Sequence, residues 1–147
     1  MTAPRLDDQL CFALYSASRA VTAAYRPLLA ELNLTYPQYL VLLVLWEEGH
    51  ANVSRLCERL HLDSGTLSPL LKRLESIGYL TRQRSAEDER RVDVVLTPAG
   101  KRLRHKAACI PERLMAASDM SPDEIVALRD AVLRLSEAVL SNESEGI

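Results

Sequence analysis

Apolar positions recur at three- and four-residue steps from the start of the chain. Leu6, Leu10, Ala13, Leu14, Ala17, Val21 and Ala24 predict a helix over residues 6–31, with Pro27 kinking it or ending its regular part. Asn33 to Pro37 is a break. Thr35 is suited to cap the next helix, and Pro37 sits in its first turn. Tyr36 to Glu48 is nearly all apolar, so a helix there is buried on most sides, and Gly49 ends it. Asn52 can cap a short helix whose inward stripe is Val53, Leu56, Cys57 and Leu60. His61 and Leu62 form a turn. Asp63 or Ser64 then caps a helix running to about Ile77, with Leu67, Leu70, Leu71 and Leu74 inward and Gly78 as terminator.

The period then changes. Residues 79–84 and 91–96 alternate and carry β-branched side chains, which predicts two strands joined by the polar loop SAEDER. Thr97 and Pro98 start another helix, running to about Cys109, where Pro111 interrupts or kinks it. Ser121 and Pro122 start a last helix with Ile125, Leu128, Val132, Leu135 and Val139 as its stripe, and the acidic tail SNESEG is expected to fray. The expected fold class is mainly α with a small β-hairpin wing, a winged helix-turn-helix. One domain covers residues 1–147: a helical region of 1–35 and 107–147, and a winged region of 36–106.

Charge adds direction to this pattern. The chain has 18 Lys and Arg against 20 Asp and Glu, a net charge of -2. Within residues 53–106, however, 12 basic residues face 7 acidic ones, and the remainder holds 6 basic and 13 acidic. Such asymmetry can give a near-neutral protein a cationic face. The apolar run Tyr39–Trp46 is too short to span a bilayer, so no membrane association is expected. MTAPRLDDQL contains no basic segment leading into an apolar one, so a cytoplasmic location is expected. Cys11, Cys57 and Cys109 are too scattered for a disulfide scaffold, and His50, His61 and His105 lack metal-ligand spacing. No cofactor or metal is implied.

Two short helices, a tight turn and a hairpin place the second helix of the pair in a DNA major groove, with residues 53–97 reading the duplex. Its first residues, Ser64, Gly65, Thr66, Ser68 and Pro69, are small enough for close approach, and three carry hydroxyls. Lys72 and Arg73 come on the next turns, suited to phosphate or guanine. Arg84, Asp88, Arg90 and Arg91 belong to the hairpin, whose tip puts Arg90 where a narrow minor groove attracts it. Each residue alone has a plainer reading, Ser64 as a cap or Lys72 as a solvated charge; their order on one assembly is the signal.

The stretch LDSGTLSPLLKRLESIGYLTRQRSAEDERRVDVVLTPAG resembles the DNA-binding half of the MarR family, with its Asp-x-Arg and Leu-Thr-x-x-Gly pattern present as Asp88, Arg90, Leu96, Thr97 and Gly100. LCFALYSASRA and LTYPQYLVLLVLWE resemble the organic-hydroperoxide-responsive branch of that family. The resemblance implies a homodimeric repressor on a pseudo-palindromic double-stranded DNA operator. It also implies that Cys11 senses an organic hydroperoxide, with Tyr25 and Tyr36 hydrogen-bonding its thiol and Tyr15 nearby. Cys11 and Tyr25 are 14 residues apart, roughly 21 Å on one straight helix. Tyr25 therefore meets Cys11 only across an interface between antiparallel first helices, whereas Tyr15, one turn on, shares its face.

The chemistry needs a thiolate, which phenolic hydroxyls favour by donating hydrogen bonds. Oxidation to the sulfenic acid would disturb the interface that sets the recognition-helix spacing, roughly 34 Å on DNA. Two-cysteine relatives carry a resolving cysteine nearer Ala116 or Met120. The favoured route is therefore a mixed disulfide of Cys11 with a low-molecular-weight thiol, with Cys109 as resolving cysteine the alternative. Two further readings compete. A small phenolic ligand between the dimer and DNA-binding regions would leave Cys11 incidental, as a small buried hydrophobe. A thiol peroxidase would need many turnovers at Cys11, and no second redox motif supports an enzyme.

Overall fold

The computed structural model describes residues 3–146, and its chain divides into two compact units, residues 3–108 and 109–146. The first unit opens with a single 3-10 turn, Leu6–Asp8, and helix α1, Leu10–Ala30. Pro27 does not end α1, which continues to Ala30 and closes through Asn33 in the left-handed conformation. Thr35 then caps α2, Tyr36–Glu48, in a reciprocal capping box with Gln38. α2 is the centre of the unit: Val41, Leu42 and Leu45 are wholly buried.

Around α2 lie α3 (Val53–Leu60), capped by Asn52, and α4 (Ser64–Ile77), capped by Asp63 rather than Ser64. Between them His61 takes the left-handed conformation, which makes the turn tight. Leu56 of α3 and Leu67, Leu71 and Leu74 of α4 are buried, as their spacing predicts. The remaining chain of this unit forms β2 (Leu80–Arg84), β3 (Val92–Leu96) and α5 (Pro98–Ala107), the last capped by Thr97.

A third strand joins the expected hairpin. β1, His50–Asn52, pairs antiparallel with β3, giving the order β1-β3-β2. HAN carries no alternating β-branched signal. It becomes a strand because the link between Gly49 and the Asn52 cap lies along β3, placing Ala51 opposite Val94 with both buried. This is tertiary context overriding local propensity.

The wing is rooted at one crowded joint. The Thr97 hydroxyl donates to the Gly78 carbonyl at 2.5 Å, and the Thr97 N–H donates to the Tyr79 carbonyl at 3.1 Å. The Trp46 indole N–H donates to the Gly100 carbonyl at 2.9 Å in a buried site, and the Tyr79 hydroxyl donates to the Leu32 carbonyl at 2.9 Å. A β-carbon on Gly100 would collide with the Tyr79 carbonyl oxygen. The Leu-Thr-x-x-Gly pattern thus has a steric and hydrogen-bonding cause at this joint.

The second unit contains α6 (Ile110–Ala117) and α7 (Pro122–Glu145). Pro111 does not kink one long helix: the chain breaks at Ala108–Cys109, and Pro111 lies in the first turn of α6, where its missing N–H costs nothing. The Ser121 side chain caps α7 as expected. α7 remains helical through Glu145, so most of the acidic tail extends the helix instead of fraying.

Gly100→Ala should lower stability by about 2–3 kcal/mol through overpacking against main chain, with the urea midpoint falling and the slope unchanged. An unaltered midpoint would mean that α5 and the wing root separate freely.

Candidate functional site

Two sets of residues carry chemistry. The first is on α4 and the wing. Ser64, Gly65, Thr66, Ser68 and Pro69 are all exposed at the start of α4, with Lys72 and Arg73 exposed further along it. The Asp63 carboxylate accepts the Thr66 N–H at 2.7 Å. The Thr66 N–H and hydroxyl together hold the Asp63 carboxyl below its ordinary range. Asp63 therefore fixes the first turn of α4, and the Thr66 hydroxyl is engaged locally.

In the wing, Arg84, Asp88, Arg90 and Arg91 are all exposed. Ser85 N–H donates to the Arg91 carbonyl at 2.9 Å and closes the loop. The Asp88 carboxylate accepts the Arg90 N–H at 3.0 Å, and the Asp88 carbonyl accepts the Arg91 N–H at 3.0 Å. Asp88 thus shapes the tip that presents two arginines, its acceptor-only carboxylate turned to the tip's own main chain.

The cationic balance is less evenly available than its count suggests. Glu48 accepts Arg55 at 2.7 Å and Arg59 at 2.9 Å, and Glu47 accepts Arg59 at 2.9 Å. These pairs lock the end of α2 to α3, and the two guanidinium groups hold the Glu48 carboxyl below its ordinary range. Glu75 accepts the Arg82 N–H at 2.8 Å and its guanidinium at 3.4 Å, joining α4 to β2. Among the described residues, Lys72, Arg73, Arg84, Arg90 and Arg91 make no ion pair within the chain, so they carry the positive potential of this face.

The second set surrounds α1 and α2. Tyr25 and Tyr36 lie with ring centroids 4.7 Å apart. Tyr39, which sequence reasoning passed over as core, completes the cluster at 5.9 Å from Tyr25 and 6.4 Å from Tyr36. It also meets Trp46 edge-on at 6.2 Å. Its signal was its place one helical turn after Tyr36. Burial pushes the Tyr25 phenol up to about 12, with the neighbouring Tyr36 and Tyr39 adding to the effect. Burial also raises Tyr36 and Tyr39. All three therefore remain protonated hydrogen-bond donors at neutral pH.

Cys11 is exposed on the first turn of α1, well before this cluster. Tyr15 is also exposed, with the Arg19 guanidinium 5.5 Å above its ring. Around them Leu6, Leu10, Phe12 and Val21 are exposed, although a helix stripe of this kind is expected to be covered. In the other unit, α7 exposes Val126, Leu128, Leu133, Val139 and Leu140. Cys57 is half-buried on α3, and Cys109 is exposed immediately before α6. A cavity of about 480 Å³ beside Tyr36 is lined by Thr22, Arg26, Leu34 and Thr35 among others. No helix of the described residues is long and apolar enough to cross a membrane.

Comparison with known proteins fits this layout. The family described as transcriptional regulator SarA/Rot matches residues 23–107. The organic hydroperoxide resistance transcriptional regulator of Bacillus subtilis strain 168 is 48% identical over 135 residues, covering 92% of each chain. Reduced AbfR bound to DNA, from a protein of Staphylococcus epidermidis also solved in a disulfide form, is 33% identical with a TM-score of 0.75, covering 92% of this chain and 95% of that one. PcaV of Streptomyces coelicolor in complex with its natural ligand is 26% identical with a TM-score of 0.83, covering 95% and 99%.

Lys72→Ala and Arg90→Ala should each weaken binding to duplex DNA across sequences and reduce the log–log salt slope by about 1. An unchanged slope would remove that residue from the phosphate contacts. Ultraviolet titration should show a phenol ionising near pH 12, lost in Tyr25→Phe. Because the folded value lies above the unfolded 10.0, the stability linked to Tyr25 is full below pH 10 and declines as pH rises from 10 to about 12. Chemical denaturation across that range, with Tyr25→Phe as reference, checks the sign.

Proposed function

This chain belongs to the SarA/Rot transcriptional regulators, a winged-helix, DNA-binding group of MarR type, and within it we propose a homodimeric repressor that releases its operator when an organic hydroperoxide oxidises Cys11. The observation that carries the reading is the pair of protonated phenols, Tyr25 and Tyr36, held together a long way along the chain from an exposed Cys11. One α1 cannot bring Cys11 to Tyr25, since their separation of 14 residues corresponds to roughly 21 Å of helix. A second copy with its α1 antiparallel can. The apolar side chains exposed on α1 and α7 support such a partner, because a lone soluble chain rarely leaves so many uncovered. Residues 1–35 and 107–147 are accordingly assigned to the dimer, and 36–106 to DNA.

The chemistry is a two-electron oxidation. The Cys11 thiolate attacks the terminal oxygen of R–O–OH and the O–O bond breaks. Cys11 becomes the sulfenic acid, and the departing alkoxide takes a proton to become the alcohol. A low-molecular-weight thiol then displaces hydroxide as water and forms a mixed disulfide on Cys11. The partner's hydroxyls that donate to a thiolate lose that acceptor, and the interface resettles. Recognition helices displaced from roughly 34 Å spacing no longer fit successive major grooves. Two relatives bear on this reading: one is named a regulator of organic hydroperoxide resistance, and AbfR has been solved reduced on DNA, overoxidised on DNA and in a disulfide form. One stoichiometric oxidation suffices for a regulator, so no enzymatic turnover is invoked.

A second reading has its own observation. The cavity beside Tyr36 includes Arg26 and Thr22, which could hold a small phenolic or acidic ligand with Cys11 incidental. PcaV was solved with its natural ligand, so ligand response exists on this fold.

Binding to the DNA upstream of the protein's own gene should separate the two. An organic hydroperoxide should lower the affinity of the wild type at least tenfold, about 1.4 kcal/mol, and leave Cys11→Ser unaffected. Equal release by both proteins would end the Cys11 role. Intact mass after oxidation in the presence of a small thiol should show its adduct on Cys11; a Cys11–Cys109 bridge would instead support the two-cysteine route.

A further inference from the structure

A second cavity, remote in sequence from Cys11, lies wholly within the first unit. It measures about 430 Å³ and is lined by Leu45, Trp46, Gly49, Leu96, Lys101, Arg104, His105 and Ala108. That volume falls among small-molecule sites, which span about 300–1,000 Å³. Its apolar floor is Leu45, Trp46 and Leu96, all at least nine-tenths buried. Its rim is the outer face of α5, with Lys101, Arg104 and His105, and the Ala108 that follows the helix, while Leu103 and Ala107 are buried.

The rim of this cavity is cationic above an apolar floor. α5 has no acidic residue, and among the described residues Lys101, Arg104 and His105 make no ion pair or hydrogen bond through their side chains. Glu47 and Glu48, the two residues directly after Trp46, are committed to Arg55 and Arg59 of α3. Attraction to the negative end of the helix accounts for Arg104 and His105 in the last turn of α5. It does not account for Lys101, near the opposite end, where the same dipole disfavours a cation. An apolar floor below an uncompensated cationic rim is complementary to an amphipathic anion. A nucleic-acid backbone would use the cations and have no need of the floor.

We propose that this cavity binds a small organic carboxylate, its apolar body on Trp46, Leu45 and Leu96 and its carboxylate between Lys101 and Arg104. Trp46 gives the site a connection to the wing, since its indole N–H holds the Gly100 carbonyl at the start of α5. The site is independent of Cys11 and would give the regulator an input of its own.

The single tryptophan of the chain is the reporter. Octanoate, transparent where tryptophan absorbs, is titrated into the reduced full-length protein at constant ionic strength. A saturable change in Trp46 emission is expected. It should be retained in Cys11→Ser, weakened at least tenfold in the double variant Lys101→Gln/Arg104→Gln, and missing with 1-octanol at the same concentrations. Ala108→Glu, which puts a carboxylate at the cavity wall, should abolish it and serves if the double variant does not fold. No saturable change, equal binding of octanol, or loss of binding in Cys11→Ser would overturn the assignment. So would a double variant that binds octanoate normally while losing DNA affinity, since the rim would then be a phosphate contact.

Discussion

The structure hangs on the joint at which the Thr97–Gly100 turn packs against Gly78 and Tyr79. Three elements must end there: the recognition helix α4, the wing strand β3 and the start of α5. Gly78 ends α4 in a left-handed conformation, and its carbonyl accepts the Thr97 hydroxyl. Gly100 has no side chain because the Tyr79 carbonyl occupies that space, while its own carbonyl accepts Trp46 from α2. Each main-chain group at the joint is thus satisfied by a different element. Burying them otherwise would cost about 1–3 kcal/mol apiece. Helix, wing and core helix are thereby tied together at one joint, which suits a reader whose parts must reach DNA in register.

Rigidity of that body shifts the burden of regulation elsewhere. If α4 and the wing cannot reorient within one chain, affinity changes only through the placement of one such body relative to another. The proposed sensor is consistent with this, because helix geometry alone separates Cys11 from Tyr25 and Tyr36 in one chain. A partner that completes the thiol's surroundings is also the partner whose position decides the fit to DNA. The phenols are protonated at neutral pH as any tyrosine is, and burial raises them further, so they are available as donors and not as anions. In the proposed dimer they would respond to what Cys11 becomes, and the interface would change with them.

Most of this was legible along the chain wherever a local rule had a single residue to act through. Thr35, Asn52, Thr97 and Ser121 cap helices in the structure as their types predict, and Gly49 and Gly78 end them. The stripe of α4 is buried at the predicted leucines 67, 71 and 74, while Leu70 is only half-buried. What escaped depends on partners distant in sequence. β1 exists only because β3 lies beside it. The Glu48 pairs with Arg55 and Arg59 need α2 and α3 to be packed before they mean anything. Tyr39 reads as one more apolar-run residue until Tyr25 arrives from α1. Pro111 and Pro27 show the reverse problem: proline's effect depends on where the turn starts, so one begins a helix and the other sits inside one.

The charge pattern carries the same lesson into function. A surplus of basic residues over 53–106 pointed to a cationic face, and the fold sorts that surplus into three groups. Arg55, Arg59 and Arg82 are structural, each closing a gap between elements against a glutamate. Such pairs lie near the surface and are individually weak, yet they engage three arginines and leave the unpaired cations of α4 and the wing tip to carry the potential there. The α5 cations form a third group around an apolar floor rather than on the reading face. A regulator that must both hold DNA and let it go gains from this separation. The unpaired cations of α4 and the wing, the arginines that brace α2 to α3 and α4 to β2, and the cations of α5 are different side chains, so each set can vary without undoing the others.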